Sequence, residues 1–257
     1  MMKNNTSNFL GVIPARFNSS RLMGKPLKII GDKPMIQHVY EKAKIVLENV
    51  VVATDDDKIF KCVESFKGNV ILTKKTHKNG TSRCLEAVNN WNKKVNKDYK
   101  YIINIQGDEP LLSKDHLNKL IICFNDTDTN FATVGLEVSD QDELGDGKVY
   151  LVKDINNFAL YFSRNKIPFV RNHKNENKEL KNKYFQHIGI YGYKLETLKE
   201  FCDLGTSSLE DSEKLEQLRW LENGGKIKVG VTKQRSHPVD TEEDLKIVRG
   251  IFAKNHH

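Results

Sequence analysis

The chain has 257 residues, a formal net charge of +7 and a pI near 9.0. This length can bury the core of one large α/β domain, and the basic residues are scattered singly among asparagines rather than gathered in a block, which argues against a nucleic-acid-binding tail. Four cysteines stand far apart with no CxxC pair, which argues against a zinc site and indicates reduced thiols.

The first half of the chain alternates apolar runs of strand length with segments of helical period. Strands are predicted at 9–14, 50–54, 69–72, 101–106 and 131–138. Helices are predicted at 34–47, 56–65, 81–91 and 114–124, with Asp55 and Ser113 as caps of the second and fourth helices. This alternation is typical of a mostly parallel sheet covered by helices.

The second half is richer in aromatic residues and less regular. The segments "GKVYLVKD", "FALYFS" and "HIGIYGYK" resemble strands, a mobile polar loop is predicted at 171–183, and one long helix is predicted at 208–224. A strand in "KIKVGVT" and a helix in "DTEEDLKIVRGIF" follow. No apolar run approaches the roughly 20 residues that cross a bilayer, so we expect a cytoplasmic protein that binds no membrane.

The first predicted strand leads directly into a cationic loop, "GVIPARFNSSRLMGKPL", which carries Arg16, Arg21 and Lys25. Cations this close repel one another, so the loop is expected to hold an anion between them. It is neither a P-loop, since "GKP" lacks the following Ser or Thr, nor a GxGxxG turn. Side-chain cations suit a triphosphate whose charge must be neutralised, although a solvated surface loop is the simpler alternative.

Two further loops place carboxylates after predicted strands. Asp108 and Glu109 follow a buried strand in "INIQGDEPLL", and Asp240 lies in "HPVDTEEDL" before a helix. Ligands of open α/β sheets bind outside the carboxyl ends of the strands. Because Mg²⁺ takes one or two carboxylates plus phosphate oxygens, Asp108 and Asp240 are candidate magnesium ligands. Taken singly, Asp108 and Glu109 could instead form the polar start of a turn before Pro110, and Asp240 or Thr241 could cap the following helix.

Seven stretches together resemble a known enzyme family. They are "IPARFNSSRLMGKPL", "NGTSR", "IQGDEPLL", "ALYFSRNKIPF", "HIGIYGY", "LEQLRWL" and "VDTEEDL". Their order and approximate spacing resemble those of the CMP-Kdo synthetases, or 3-deoxy-manno-octulosonate cytidylyltransferases, which activate an eight-carbon acid sugar with CTP. The resemblance runs from about residue 9 to residue 252.

The resemblance implies a Rossmann-like α/β nucleotidyltransferase fold, with a mostly parallel sheet flanked by helices and a smaller aromatic-rich β lobe for the acceptor. It implies a single domain whose nucleotide-binding part covers about 8–138 and 226–254 and whose acceptor and dimerisation lobe covers about 139–225. It also implies Mg²⁺ as cofactor, CTP and an ulosonic acid as substrates, no nucleic-acid partner, and a homodimer.

Site residues follow where this sequence matches the family's motifs. The residues implied to be catalytic are Arg16, Lys25, Asp108 and Asp240, the last two also as metal ligands. Those implied to bind the nucleotide are Ala15, Arg16, Arg21, Lys25, Gly80, Arg83, Gln106 and Asp108. Those implied to bind the acceptor are Arg164, His187, Tyr191, Glu216 and Gln217. An arginine suits the acceptor's carboxylate, and the other four side chains suit its hydroxyls.

Alternatives remain at several of these positions. Asn79 and Ser82 replace residues that the family usually has around its nucleotide-binding turn, His187 and Tyr191 could be core residues, and Glu216 could be a solvated helix residue. The acceptor could be another acid sugar, such as 8-amino-Kdo or a sialic-type acid. A basic protein that binds nucleotides or nucleic acid without turnover is the alternative from a different class.

Overall fold

A computed structural model describes most of the chain. The described residues are 6–18, 21–140, 144–145, 147–171 and 179–254. The strands are β1 (Phe9–Ala15), β2 (Ile29–Ile30), β3 (Lys33–Pro34), β4 (Asn49–Thr54), β5 (Val70–Leu72), β6 (Tyr101–Asn104), β7 (Phe131–Asp140), β8 (Tyr150–Lys153), β9 (Ala159–Ser163), β10 (Glu179–Lys194) and β11 (Lys228–Thr232). The helices are α1 (Met35–Lys44), α2 (Asp57–Ser65), α3 (Gly80–Val95), α4 (Lys114–Cys123), α5 (Leu195–Asp203), α6 (Ser208–Glu213), α7 (Leu218–Glu222) and α8 (Glu242–Lys254).

Nine of these strands form one sheet, in the order β11, β7, β10, β6, β1, β4, β5, with β8 attached to β10 and β9 attached to β8. The pairs of β1 with β4 and β6, of β4 with β5, and of β7 with β11 are parallel, whereas β10 runs antiparallel to its neighbours β6 and β7. The prediction of a mostly parallel α/β sheet flanked by helices is therefore confirmed, with β10 and the outlying β9 running in the reverse direction.

The core lies on both faces of the sheet because side chains alternate along each strand. On one face Ile13 of β1 packs with apolar residues of α1, α2 and α4. On the other face Val12 packs with residues of α3 and α5. Within the described residues, no helix has both the length and the apolar character needed to cross a membrane.

The predicted elements of the first half agree with the structure to within a few residues, but one cap differs. Asp56, not Asp55, caps α2, since its Oδ1 accepts the amides of Lys58 at 2.8 Å and Ile59 at 3.2 Å. Ser113 caps α4 as predicted, accepting the amide of His116. Asp55 is thereby left for a partner elsewhere in the fold.

The second half departs further from the prediction. Residues 172–178 of the predicted mobile loop lie outside the described residues, and its last residues belong to β10, which begins at Glu179. The single long helix predicted at 208–224 is wrong, because α6 and α7 are separated by Lys214 in the left-handed conformation at φ 52°. Arg164 donates to the carbonyls of Glu213 at 2.7 Å and Lys214 at 3.3 Å, and these carbonyls therefore have partners outside a helix. Helix α5 was not predicted.

The aromatic segment shares the central sheet. The C-terminal end of β10 pairs with β6, and its residues Phe185 and Gln186 pair with β8, which in turn pairs with β9. Strand β10 therefore runs continuously from the middle of the sheet into the aromatic part. This continuity places one wall of the site described below on the same strand as the core.

Candidate active site

A cavity opens at the carboxyl ends of β1 and β6 and at the start of α3. Every residue that the sequence analysis assigned to the nucleotide or the metal lines this first cavity: Ala15, Arg16, Arg21, Lys25, Gly80, Arg83, Gln106, Asp108 and Asp240. They come from loops far apart in the chain. The fold thus brings the cationic loop and the two carboxylates to one place.

Lys25 lies between the two aspartates. Its Nζ is 2.6 Å from Asp108 Oδ2 and 3.1 Å from Asp240 Oδ1, and a second cation, Arg21, places its Nη2 3.1 Å from the same Asp240 oxygen. Burial alone would lower the pKa of Lys25, but the charge and hydrogen bonds of Asp108 and Asp240 raise it overall. The lysine is therefore held as a cation between two carboxylates.

Backbone geometry sets up this cluster. Gly24 precedes Lys25 with φ +65°, where a side chain would be strained, and a Cβ there would lie 3.2 Å from the ring of Phe17. Gly107 precedes Asp108, and a Cβ there would lie 3.0 Å from the carbonyl oxygen of Pro14 at the end of β1. Glycine at position 107 thus allows the loop after β6 to approach the loop after β1 closely.

The loops that carry the two aspartates are joined directly. The amide of Val239 donates to the carbonyl of Asp108 at 2.9 Å. At the start of α8, Thr241 Oγ1 accepts the amide of Asp244, and the Asp244 carboxylate accepts the amides of Asp240 and Thr241. Because Thr241 and Asp244 cap this helix, the Asp240 side chain is left for the cavity.

Arg83 is buried rather than exposed at the start of α3. Its guanidinium donates to Thr73 Oγ1 at 2.6 Å and to Asp55 Oδ2 at 2.7 Å, and only 4% of the residue is accessible to solvent. Asp55, which the sequence analysis interpreted only as a helix cap, is therefore the counter-ion of a cavity residue. The pair connects the ends of β4 and β5 to the first turn of α3.

His77 and Glu86 form a further link that the sequence analysis missed. His77 Nδ1 lies 3.1 Å from Ser82 Oγ, and its Nε2 bonds Glu86, whose carboxylate also accepts the amide of Lys74 at 3.1 Å. Burial raises the pKa of Glu86, but the bonds from His77 and Lys74 lower it overall. Ser82 and Glu86 are four residues apart on α3 and so share one face of the helix; that spacing was the available signal.

A second cavity adjoins the first. Gly80, Gln106, Asp108 and Asp240 line both. Of the residues predicted to bind the acceptor, those that line the second cavity are Arg164, His187, Tyr191 and Glu216. Gln217 does not line it but accepts a hydrogen bond from the Tyr191 hydroxyl at 3.2 Å.

His187 and Tyr191 lie side by side on β10, with ring centroids 5.4 Å apart. His187 Nε2 is 2.9 Å from Thr133 Oγ1, and its ring meets Phe162 edge to face. Burial lowers the pKa of His187 to about 3 and raises the pKa of Tyr191. Both side chains are therefore uncharged near neutral pH, where they offer neutral hydrogen-bonding groups to the cavity.

Glu216 connects the two cavities and is not a solvated helix residue. It lies between α6 and α7, where its carboxylate accepts Asn79 Nδ2 at 2.8 Å and Thr81 Oγ1 at 2.9 Å. Burial raises its pKa, and the Thr81 bond offsets this only in part. Asn79 also caps α3 by accepting the amide of Ser82, so this residue, which departs from the family pattern, attaches the turn before α3 to Glu216 and thereby to the second cavity.

Glu109 also lines the second cavity, although no site role was predicted for it. It is 5% exposed and accepts a hydrogen bond from Ser236 Oγ. Its pKa is raised to about 8, mainly by burial and in smaller part by the charges of Asp108 and Asp240, while the hydrogen bond from Ser236 lowers it. The sequence signal was the charged pair at the end of an apolar strand, where a buried carboxylate requires a partner.

The chain is similar to known proteins over most of its length. A family described as cytidylyltransferase matches residues 10–227. A 3-deoxy-manno-octulosonate cytidylyltransferase of Bacteroides thetaiotaomicron is 46% identical over 96% of this chain and 98% of its own length. An 8-amino-3,8-dideoxy-manno-octulosonate cytidylyltransferase of Shewanella baltica is 43% identical over 91% and 94%. The structure of CMP:2-keto-3-deoxy-manno-octonic acid synthetase complexed with CTP superposes with a TM-score of 0.86 at 36% identity, covering 97% of this chain and all of that one.

Proposed function

The chain belongs to the 3-deoxy-manno-octulosonate cytidylyltransferase family, and we propose that it joins CMP from CTP to the anomeric hydroxyl of Kdo. The hydroxyl oxygen attacks the α-phosphorus of CTP, the bond from that phosphorus to the bridging oxygen of pyrophosphate breaks, and the hydroxyl proton is lost to solvent. The products are CMP-Kdo, a precursor for lipopolysaccharide or capsule, and pyrophosphate.

The meeting of the two cavities at Asp108 and Asp240 is the observation that carries this proposal. The first cavity is bordered by cations and suits a triphosphate. The second is bordered by many hydrogen-bonding groups, among them the carboxylate of Glu216, and by the cations Lys148 and Arg164, and suits a polyhydroxylated acid. A reaction between the two substrates has to occur where the cavities join, and that is where both carboxylates lie.

Within the first cavity we assign the triphosphate to Arg16, Arg21 and Lys25. These side chains offset the negative charge that builds on pyrophosphate as it leaves. Arg83 keeps its guanidinium on Asp55 and Thr73, and we assign it to shaping the turn that begins at Gly80. Both the start of α3 and Gln106 border the two cavities, so they are placed to fix the nucleotide relative to the acceptor.

The residues present fit a magnesium ion. Among the described residues, no group of three or more His, Cys, Asp or Glu side chains is arranged to hold a metal, but Mg²⁺ at phosphate-transfer sites takes one or two carboxylates and completes its shell with substrate oxygens and water. Asp108 and Asp240 would hold it. When bound, the ion supplies positive charge that polarises the α-phosphate and lowers the pKa of the attacking hydroxyl.

On the acceptor side we assign hydrogen bonds with the sugar hydroxyls to His187, Tyr191, Glu216 and Gln217. We assign Arg164 to the acceptor's carboxylate. Its guanidinium donates to the carbonyls of Glu213 and Lys214 and has further N–H groups that can donate to a carboxylate. The uncharged state of His187 suits hydrogen bonding to a neutral hydroxyl.

Pyrophosphate release tests this function. We expect release only when CTP, Mg²⁺ and an acid sugar are all present, with Kdo preferred over 8-amino-Kdo and nine-carbon acids in a panel. Asp108→Asn and Asp240→Asn should each lower the rate by about 10²-fold or more, whereas Asp126→Asn, whose partner Lys228 lies away from both cavities, should keep it. No release from any acid in the panel would refute the proposal.

We further propose that the protein is a cytoplasmic homodimer. The four cysteines are free thiols, which suits a reducing compartment. Among its described residues the aromatic part exposes the large apolar side chains Ile155, Leu160 and Phe169, at 96%, 63% and 86%, which suits burial against a second copy. Light scattering or sedimentation of the purified protein measures the mass directly, and a mass of one chain would contradict the dimer.

A further inference from the structure

Two buried side-chain amides beside Tyr191 each have one polar atom without a partner. Asn104 is 1% exposed, and its Oδ1 has no hydrogen-bond partner among the described residues; the same holds for Nε2 of Gln217, which is 2% exposed. Buried polar atoms of native proteins are nearly always paired, because an unpaired one forfeits its bonds to water. Such an atom beside a cavity indicates a ligand group that completes it.

Strand pairing places Asn104 beside the phenol of Tyr191, and a side-chain hydrogen bond places Gln217 there. Asn104 is the last residue of β6 and stands directly opposite Tyr191 in the antiparallel pair of β6 with β10. Side chains of directly opposed residues leave the same face of a sheet. The Tyr191 hydroxyl donates to Oε1 of Gln217 at 3.2 Å. Asn104, Tyr191 and Gln217 therefore form one polar group, and Asn104 and Tyr191 line the second cavity.

The neighbours of Asn104 would accept an apolar residue at this position. Ile102, two residues earlier on the same face of β6, is fully buried in the apolar core, and so is Val12, the residue paired with Asn104 on β1. A leucine at position 104 would continue that core without an unpaired atom. Asn104 lies where the apolar face of the sheet ends and the cavity begins. A buried amide with an unpaired atom destabilises the fold at this point, and binding of a ligand would explain why an amide is present.

We infer that Asn104 binds a hydroxyl of the acid sugar and so helps to select a polyhydroxylated acceptor. This rests on the proposed function and adds a residue to the acceptor side that neither the motifs nor the family resemblance indicated. A hydroxyl both donates and accepts a hydrogen bond, and an amide presents a carbonyl oxygen and an NH₂ group side by side. The Asn104 amide can therefore bond a sugar hydroxyl in either of its two orientations. Gln217, assigned to the acceptor on other grounds, shows the same unpaired atom.

The test is steady-state kinetics of Asn104→Leu, which removes the amide and keeps a similar volume. We expect the KM for the acid sugar to rise about 5- to 100-fold, the KM for CTP to change by less than about twofold, and the Tm to stay equal or rise. Asn104→Ser, which is smaller, gives the same comparison if leucine does not fit. The matched control is Thr129→Val, since Thr129 is also fully buried with an unpaired hydroxyl but lines neither cavity.

Acid sugars that lack one hydroxyl at a time separate direct contact from positioning. If Asn104 binds a hydroxyl, the analogue that lacks this hydroxyl will raise the KM of the wild type as much as Asn104→Leu raises the KM for the parent sugar. The same analogue will then have equal KM values with the wild type and with the variant. An unchanged KM for the acid sugar, or an equal further loss with every analogue, overturns the inference alone. A wild type that turns over none of the acids overturns the proposed function and the inference with it.

Discussion

The ammonium group of Lys25 lies 2.6 Å from the carboxylate of Asp108, although 83 residues separate them along the chain. The same nitrogen contacts Asp240. Two carboxylates at the junction of the cavities are thereby paired with cations of one loop, since Lys25 contacts both and Arg21 also contacts Asp240. A residue proposed to bind the triphosphate therefore already contacts both proposed metal ligands.

Replacement of Lys25 by methionine should lower both the rate of pyrophosphate release and the stability of the protein without Mg²⁺. We expect pyrophosphate release to fall about 10²- to 10³-fold, since a cation facing the leaving group is removed. Without Mg²⁺ the facing carboxylates lose their counter-ion, so the free energy of unfolding should fall by about 1–2 kcal/mol. Added Mg²⁺ should then raise the Tm of the variant more than that of the wild type.

The control is Lys28→Met, because Lys28 pairs with Glu242 on the exposed surface nearby at 2.8 Å. Its stability should change by less than about 1 kcal/mol, and its rate should match the wild type. If Lys25→Met releases pyrophosphate at the wild-type rate, Lys25 is not a catalytic residue.

Asp55→Asn should destabilise the fold and weaken CTP binding together. Arg83 would keep a buried charge without its carboxylate partner, which costs about 2–4 kcal/mol of the free energy of unfolding. The turn beginning at Gly80 would lose its attachment, so the KM for CTP should rise. Urea unfolding followed by circular dichroism, with initial rates at varied CTP, measures both. Asp126→Asn, which loses a more exposed pair with Lys228, should lower the free energy of unfolding by less than Asp55→Asn does; equal losses in the two variants would contradict this role.

Glu216→Gln should impair both substrates rather than the acceptor alone. The new amide can accept from only one of Asn79 and Thr81, so the contact between the nucleotide-binding turn and the acceptor side is weakened. We expect the KM values for CTP and for the acid sugar each to rise about 3- to 10-fold. Glu222→Gln, which alters a surface contact with Ser208, is the control and should leave both constants unchanged. A rise for the sugar alone would assign Glu216 purely to the acceptor.

His187 should contribute to the loss of stability in acid. Burial lowers its pKa to about 3, whereas an unfolded histidine titrates near about 6.5. As the pH falls from 6.5 toward 3, the unfolded chain binds a proton that the folded chain does not, so the free energy of unfolding falls by at most about 1.4 kcal/mol per pH unit from this residue. His187→Gln should show a correspondingly shallower decline between pH 6 and pH 4 in denaturant titrations and the same slope above pH 7. Parallel curves for the two proteins would show that His187 takes up its proton without unfolding.

The sheet and the first cavity were accessible from the sequence because they depend on local patterns. Apolar runs marked β1 and β6, and polar residues just beyond them had to lie at one edge of a parallel sheet. The reversed direction of β10 was not accessible, since a period of two is the same in both directions. The break at Lys214 was not accessible either, because it depends on Arg164, some fifty residues away.

The residues that sequence reasoning missed have a shared cause. Asn104, Glu109, His77 and Asp55 are each defined by a partner, or by the lack of one, that only the folded chain reveals. Glu109 and Asp55 were noticed as charges at strand ends and interpreted as parts of turns or caps. Their burial changes that interpretation, because a buried charge or amide must be accounted for by a contact.

Strand β10 carries His187 and Tyr191 and is hydrogen bonded to β6, whose following loop carries Asp108. The separation between His187 and Tyr191, proposed to bind the acceptor, and Asp108, a proposed metal ligand, is therefore set by the hydrogen bonds of one sheet. Another part of the lining of the second cavity, Leu215 and Glu216, lies between two short helices and is free of such a ladder. A lineage that changes its acid sugar can alter this part of the lining and leave that separation intact, so substrate divergence within this fold should be concentrated between α6 and α7.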